Sequence, residues 1–167
     1  RTDFFEARID FDSSPGNWSA FWVHSWEMVG NLPADLLNRP DVVGAEIDVV
    51  EHRKVDAGNN DISSGGYQAV HWNGYGTTAA AQGNMNWAHD VANGFHTFGL
   101  LWARDRYEFY YDGDKVWTFT NANAISSIAC SNAAVLARDG CVDPLTLRTN
   151  WSAASRTSSS VVGGSKL

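Results

Sequence analysis

The sequence predicts an all-β domain, and three observations carry that prediction. Eight Trp, eight Phe and five Tyr accompany 15 Gly, a composition that suits pleated sheets joined by tight turns better than a helical bundle. Residues 4 to 11 alternate, with Phe5, Ala7, Ile9 and Phe11 on one face and Phe4, Glu6, Arg8 and Asp10 on the other; that is the period of a half-buried strand. Between two further alternating runs, 107 to 111 and 115 to 119, stands Asp112-Gly113, a dipeptide that accepts the two positive φ angles of a type I′ hairpin turn.

Taken in order, the first strand ends at the turn residues Ser13-Ser14-Pro15-Gly16-Asn17. An aromatic-rich second strand runs from Trp18 to Trp26. From Glu27 to Pro40 the alternation is lost, and Gly30, Pro33 and Pro40 around Ala34-Asp35-Leu36-Leu37 predict a long loop with one helical turn. A third strand covers 42 to 52, and the polar, Gly/Asn-rich stretch 56 to 66 is a surface loop. Residues 67 to 72 form a short strand stopped by Asn73-Gly74, and 77 to 93 read as a small-residue loop. A strand over 95 to 102 leads into the hairpin. Beyond about Ser126 the pattern weakens, with Leu145 to Leu147 as the last candidate strand and a Ser/Gly-rich stretch from 155 to 164. The 167 residues suffice for one domain with a real core. The organisation expected is a sheet core over 1–125 and a divergent, Ser-rich C-terminal segment over 126–167.

Charge narrows the partners. A net charge of -7 and a pI near 5.0 disfavour nucleic acid and anionic membranes, both of which need a basic surface; a neutral ligand fits better. No run of about 18 apolar residues occurs that would span a bilayer, and a secretory leader is not expected among these residues. Cys130 and Cys141 are either one disulfide closing a short loop or two free thiols.

The chemistry concentrates in Ala45-Glu46-Ile47-Asp48-Val49-Val50-Glu51-His52. Strict alternation puts Val43, Ala45, Ile47 and Val49 on a core face and Glu46 and Asp48 on the other. Glu51 would then join the core, where an ionised carboxylate is prohibitively costly. A β-bulge at Val49-Val50 absorbs one residue and returns Glu51 to the face of Glu46 and Asp48. Crowded carboxyls cannot all ionise easily, so one keeps a proton. A carboxylate beside a carboxylic acid, about 5 to 5.5 Å apart, is what glycosyl transfer with retention needs, with Asp48 holding the two protonation states apart. The simpler alternative is a surface strand of alternating acids with Glu51 already in the following loop. Trp and Tyr rings, which stack on sugar faces as readily as they build cores, favour the first reading.

Glu46-Ile47-Asp48-Val49-Val50-Glu51 resembles the bulged Glu-x-Asp-x-x-Glu signature of glycoside hydrolase family 16, the group of laminarinases, agarases and carrageenases. Co-linear blocks support the resemblance: Phe4-Phe5-Glu6-Ala7-Arg8-Ile9, Gly16-Asn17-Trp18-Ser19-Ala20-Phe21-Trp22, His71-Trp72, Phe95-His96-Thr97-Phe98-Gly99-Leu100-Leu101-Trp102 and Phe109-Tyr110-Tyr111-Asp112-Gly113. The resemblance implies a concanavalin A-like jelly-roll β-sandwich with an open concave cleft, and a secreted, monomeric endo-hydrolase acting on β-linked polysaccharide such as β-glucan or galactan. Glu46 would be the nucleophile, Asp48 the assisting acid and Glu51 the general acid/base. Trp22, Trp26, His71 and Trp72 are the implied cleft residues, although His71 equally suits a packed histidine; Trp18 and Trp102 are assigned to packing. Early strands and a closing strand of the family pattern are missing from the sequence, so a truncated member, incomplete at both termini, is expected. No cofactor is expected, and the family's structural calcium belongs to terminal regions the sequence does not display.

Two other functions are compatible with these residues. A non-catalytic carbohydrate-binding or lectin-like jelly roll would use the same sandwich. A metal site built on His52, His71 and nearby acids is the weaker alternative, because the spacing matches no usual ligand set. Arg53-Lys54 is read as a short solvated charge run.

Overall fold

The computed structural model describes residues 3–28, 30–37, 43–103 and 106–120. Its strands are β1 (Asp3–Asp10), β2 (Trp18–His24), β3 (Glu46–Arg53), β4 (Gly66–Trp72), β5 (Ala80–Asn86), β6 (Phe95–Trp102), β7 (Arg106–Tyr111) and β8 (Asp114–Thr120). They form two four-stranded sheets, ordered β1-β6-β7-β8 and β2-β3-β4-β5, with every pairing antiparallel. The sheets enclose one core. Ile47, Val49, Val50, Val70 and Trp72 come from one side, and Phe98, Leu100, Tyr107, Phe109, Tyr111 and Phe119 from the other. The buried amide of Gln68 is bonded within it: Gln68 Nε2 donates to the Tyr111 hydroxyl, and Asn84 Nδ2 donates to Gln68 Oε1 at 3.1 Å.

Most expected elements are present. The hairpin turn has φ of 49° at Asp112 and 88° at Gly113, the type I′ signature. In the long loop a single turn closes where Leu36 N–H donates to Pro33 O at 2.9 Å. Two expectations need correction. The stretch 77 to 93 is not all loop, because β5 lies within it; its Ala-Ala-Gln-Gly-Asn-Met-Asn sequence lacks the β-branched residues that signal a strand, and pairing with β4 along its whole length supplies the order instead. The third strand begins at Glu46 and not at 42, since Gly44 takes φ of 79° and breaks the extended chain. The divergent segment 126–167, with Cys130, Cys141 and the strand expected over 145 to 147, lies outside the described residues.

Candidate active site

The site is built on β3. Against β2 the register steps from Phe21↔Val50 to Trp22↔Asp48, and against β4 from Asp48↔Ala69 to Glu51↔Tyr67. Both neighbours therefore see an extra residue at Val49-Val50, where the bulge was expected. Val49 and Val50 are both fully buried in the core. Glu46, Asp48 and Glu51 consequently share the opposite face, at 5%, 0% and 7% exposure, so water does little to screen their mutual repulsion.

Donors from three elements meet these acids. Trp18 on β2 donates Nε1–H to Glu51 Oε1 at 3.1 Å, and the Arg53 guanidinium lies 4.7 Å over the Trp18 ring. His71 on β4 places Nε2 3.1 Å from Asp48 Oδ2. That contact, reinforced by the charges of Asp48, Glu46 and Glu51, pushes the imidazole pKa up against the opposing effect of burial. The Tyr75 hydroxyl donates to Glu46 Oε2; burial first, then this bond, push the phenol well above its ordinary range. Tyr67 faces Glu51 across the β3–β4 ladder, and burial raises its phenol, with the charges of Glu51 and Asp48 adding to it.

Small residues make room for these groups. A Cβ at position 83 would stand 2.0 Å from the Tyr67 hydroxyl, so Gly83 on β5 is what lets that ring lie across the sheet. The segment carrying Tyr75 is tied to the loop before β3: Tyr75 N–H donates to Gly30 O at 2.9 Å, Thr77 N–H to Asn31 Oδ1 at 2.9 Å, and Asn31 bridges Gly74. Asn73 and Gly74, with φ of 67° and 75°, turn the chain out of β4 and toward Glu46.

The implied cleft residues divide. Trp22 lies opposite Asp48 on the acid face and stacks on His24 at 4.7 Å and 18°, while Trp26, 85% exposed, meets His24 edge-on at 5.5 Å. Trp22 and His24 thus flank Asp48 and Glu46 from β2, and Trp26 extends the row of rings beyond the end of that strand. His71 is also on this face, opposite Glu46. Trp72 is not a cleft residue. It is 1% exposed and packs on Phe119 in the core, because a residue adjacent to His71 in a regular strand must point the other way. Trp102 serves packing as expected, against Tyr107 and Phe5. Trp18 does not serve packing alone; its indole N–H bonds an acid 33 residues away in sequence, which no local pattern reveals. Tyr75 and Tyr67 were likewise invisible to alternation, Tyr75 because it sits in a turn and Tyr67 because its partner lies on another strand.

His52 and His71 fall on opposite faces. His52 stacks on Phe11 at 4.8 Å, its Nε2 lies 2.7 Å from Ser63 O, and burial lowers its pKa. A metal site using both histidines is therefore excluded by geometry. Ligand atoms of Glu46, Asp48 and His71 do lie within 4.8 Å of one another; His71 pairs there with Asp48 and the Tyr75 hydroxyl bonds Glu46.

Comparison with known proteins places this geometry in context. The chain is 35% identical over 109 residues to the endo-1,3-1,4-beta-glycanase ExsH of Rhizobium meliloti (strain 1021), covering 65% of this chain and 19% of that protein. It is 33% identical over 124 residues to the kappa-carrageenase of Pseudoalteromonas carrageenovora, covering 68% of this chain and 29% of that one. The chain thus spans less than a third of the length of either relative. Among solved structures, a glycoside hydrolase family 16 endo-glucanase from Bacteroides ovatus, in complex with G4G3G-2F-DNP, matches with a TM-score of 0.54 at 25% identity over 74% of this chain and 48% of that chain. The two antiparallel sheets are those of a jelly-roll sandwich. The model of "Glycosyl hydrolases family 16" matches residues 3–135, and the chain belongs to that family.

Proposed function

We propose that this chain carries the catalytic face of a retaining endo-glycoside hydrolase that cleaves a β-linked polysaccharide, a β-glucan or a galactan, by double displacement. The observation that supports it most is the bulge at Val49-Val50, which brings Glu46, Asp48 and Glu51 to one buried face. In the first displacement a Glu46 carboxylate oxygen attacks the anomeric carbon. The glycosidic bond breaks, and its electron pair goes to the leaving oxygen, which takes the proton of Glu51. In the second, water gives a proton to Glu51 and bonds to the anomeric carbon, and the electron pair of the ester bond returns to Glu46. Asp48, paired with His71, keeps the two glutamates in different protonation states. Trp22, His24 and Trp26 supply stacked rings for sugar units beside the acids. The same reading implies a secreted protein, since its substrate is extracellular polymer, and we take it to act as a monomer.

The test is release of new reducing ends from a panel of β-glucans, agar-type galactans and carrageenans. Wild-type protein is expected to cleave a subset of the panel endo-wise, and Glu46→Gln to lose turnover while still binding the same polymers. Retention on polysaccharide with no new ends from the wild type would replace this reading with the non-catalytic carbohydrate-binding one. Unchanged hydrolysis by Glu46→Gln would remove Glu46 from its role.

A further inference from the structure

We propose that Tyr75 is a positioning residue acting through Glu46: its hydroxyl holds the Glu46 carboxylate and promotes breakdown of the covalent intermediate. The inference rests on Glu46 being the nucleophile. Its observation is the hydrogen bond from the Tyr75 hydroxyl to Glu46 Oε2. Other titratable groups facing Glu46 are His24 from β2, His71 from β4 and Asp48 beside it on β3; Tyr75 is the donor that reaches it from a loop.

The loop is fixed in place. Besides the bonds from Tyr75 N–H and Thr77 N–H, close packing locks it, since a Cβ at position 76 would lie 1.9 Å from Asn31 Oδ1. The phenol also remains protonated at neutral pH, because burial and the neighbouring carboxylates resist its ionisation. Tyr75 is therefore a standing donor. A ring that only offered a stacking surface would need neither the hydroxyl contact nor this anchorage.

The consequence follows from charge. A hydroxyl donates more strongly to a carboxylate than to an ester. In the glycosyl-enzyme Glu46 is an ester. When water bonds to the anomeric carbon and passes its proton to Glu51, the Glu46 ester bond breaks and its electron pair returns to the carboxylate. The Tyr75 O–H gains strength along that step and stabilises the departing carboxylate. In the first displacement the same bond weakens as the carboxylate loses charge, so its loss does not slow attack electrostatically.

The experiment is rapid-mixing kinetics with 2,4-dinitrophenyl glycosides of β-glucan and β-galactan oligosaccharides, comparing the full chain with Tyr75→Phe. Phe keeps the ring of a residue already 48% exposed, and equal thermal midpoints establish that the fold is intact. The expected result is a burst of dinitrophenolate followed by a steady rate about 10- to 100-fold below wild type. KM falls in step, leaving kcat/KM within about threefold. Asn31→Ala, which loosens the anchorage without touching the phenol, is expected to change kcat and KM in the same direction and by less. Wild-type steady rates in Tyr75→Phe would overturn the proposal and leave a stacking ring. So would equal losses in kcat and kcat/KM, which would mean misplaced attack. No dinitrophenolate from the wild type on any probe would instead overturn the hydrolase reading on which the proposal rests.

Discussion

Replacing Trp18 by Phe removes the indole N–H that reaches Glu51 Oε1 at 3.1 Å and keeps a ring beneath Arg53. Glu51 is only 7% exposed, so water cannot easily take over as donor. A hydrogen bond to a charged acceptor contributes about 1.5–3 kcal/mol, which at 1.36 kcal/mol per tenfold corresponds to about 10- to 150-fold in rate. The loss should fall on one step. On the proposed mechanism Glu51 becomes a carboxylate as it hands its proton to the leaving oxygen, and the Trp18 N–H stabilises that developing charge. Natural polysaccharide needs the proton; a dinitrophenyl glycoside does not. Reducing-end assays on polysaccharide should show kcat/KM down by about 10- to 100-fold, while kcat/KM for dinitrophenolate release, which reports the first displacement alone, stays within about threefold of wild type. Glu51→Ala should give the same split more strongly. Equal losses on both substrates would refute the reasoning and return Trp18 to packing; no loss on either would mean that the bond is without kinetic effect.

Other predictions concern the scaffold. Trp72→Ala should cost about 3–5 kcal/mol in urea unfolding, because the side chain is 1% exposed against Phe119; a raised KM with unchanged stability would contradict its core placement. Gly44→Ala combines a φ of 79° with a Cβ 2.3 Å from Ser25 Cβ, so a loss of at least about 1–2 kcal/mol is expected, partly restored by adding Ser25→Gly; a neutral Gly44→Ala would count against this close approach of Gly44 to Ser25. His71 has a raised pKa through Asp48, so its stabilisation is complete below the unfolded value of about 6.5 and is lost as pH rises through the higher folded value. The stability difference between wild type and His71→Asn should therefore shrink as pH rises above about 6.5. A difference that grows with pH in unfolding titrations would reverse the assignment of cause.

The acid-bearing strand β3 was the most legible part of the chain, because three acids in an apolar run admit few placements: a bulge, or a strand that ends before Glu51, keeps that residue out of the core, and the register shows the bulge. The Asp112-Gly113 hairpin was equally plain, its turn chemistry being local. β5 was not legible, since Ala80 to Asn86 owes its strand conformation to pairing with β4 and to a glycine that accommodates Tyr67. Trp72 was legible in principle: alternation alone separates it from His71. Trp18 and Tyr75 were beyond pattern reading, because each reaches its acid through contacts distant in sequence, 33 and 29 residues away. Periodicity reports which face a residue occupies, and it is silent on which polar atom meets which across strands and loops.

The central claim is that the acid on β3 opposite His71 forms the covalent bond to sugar. Labelling the protein with a 2-deoxy-2-fluoro dinitrophenyl glycoside of a cleaved oligosaccharide, then mapping the modified peptide by mass spectrometry, tests it most directly. The expected result is one fluoroglycosyl group on Glu46, released on adding a sugar acceptor. A label on Asp48 or Glu51, or full turnover of polysaccharide with no label anywhere, would contradict it.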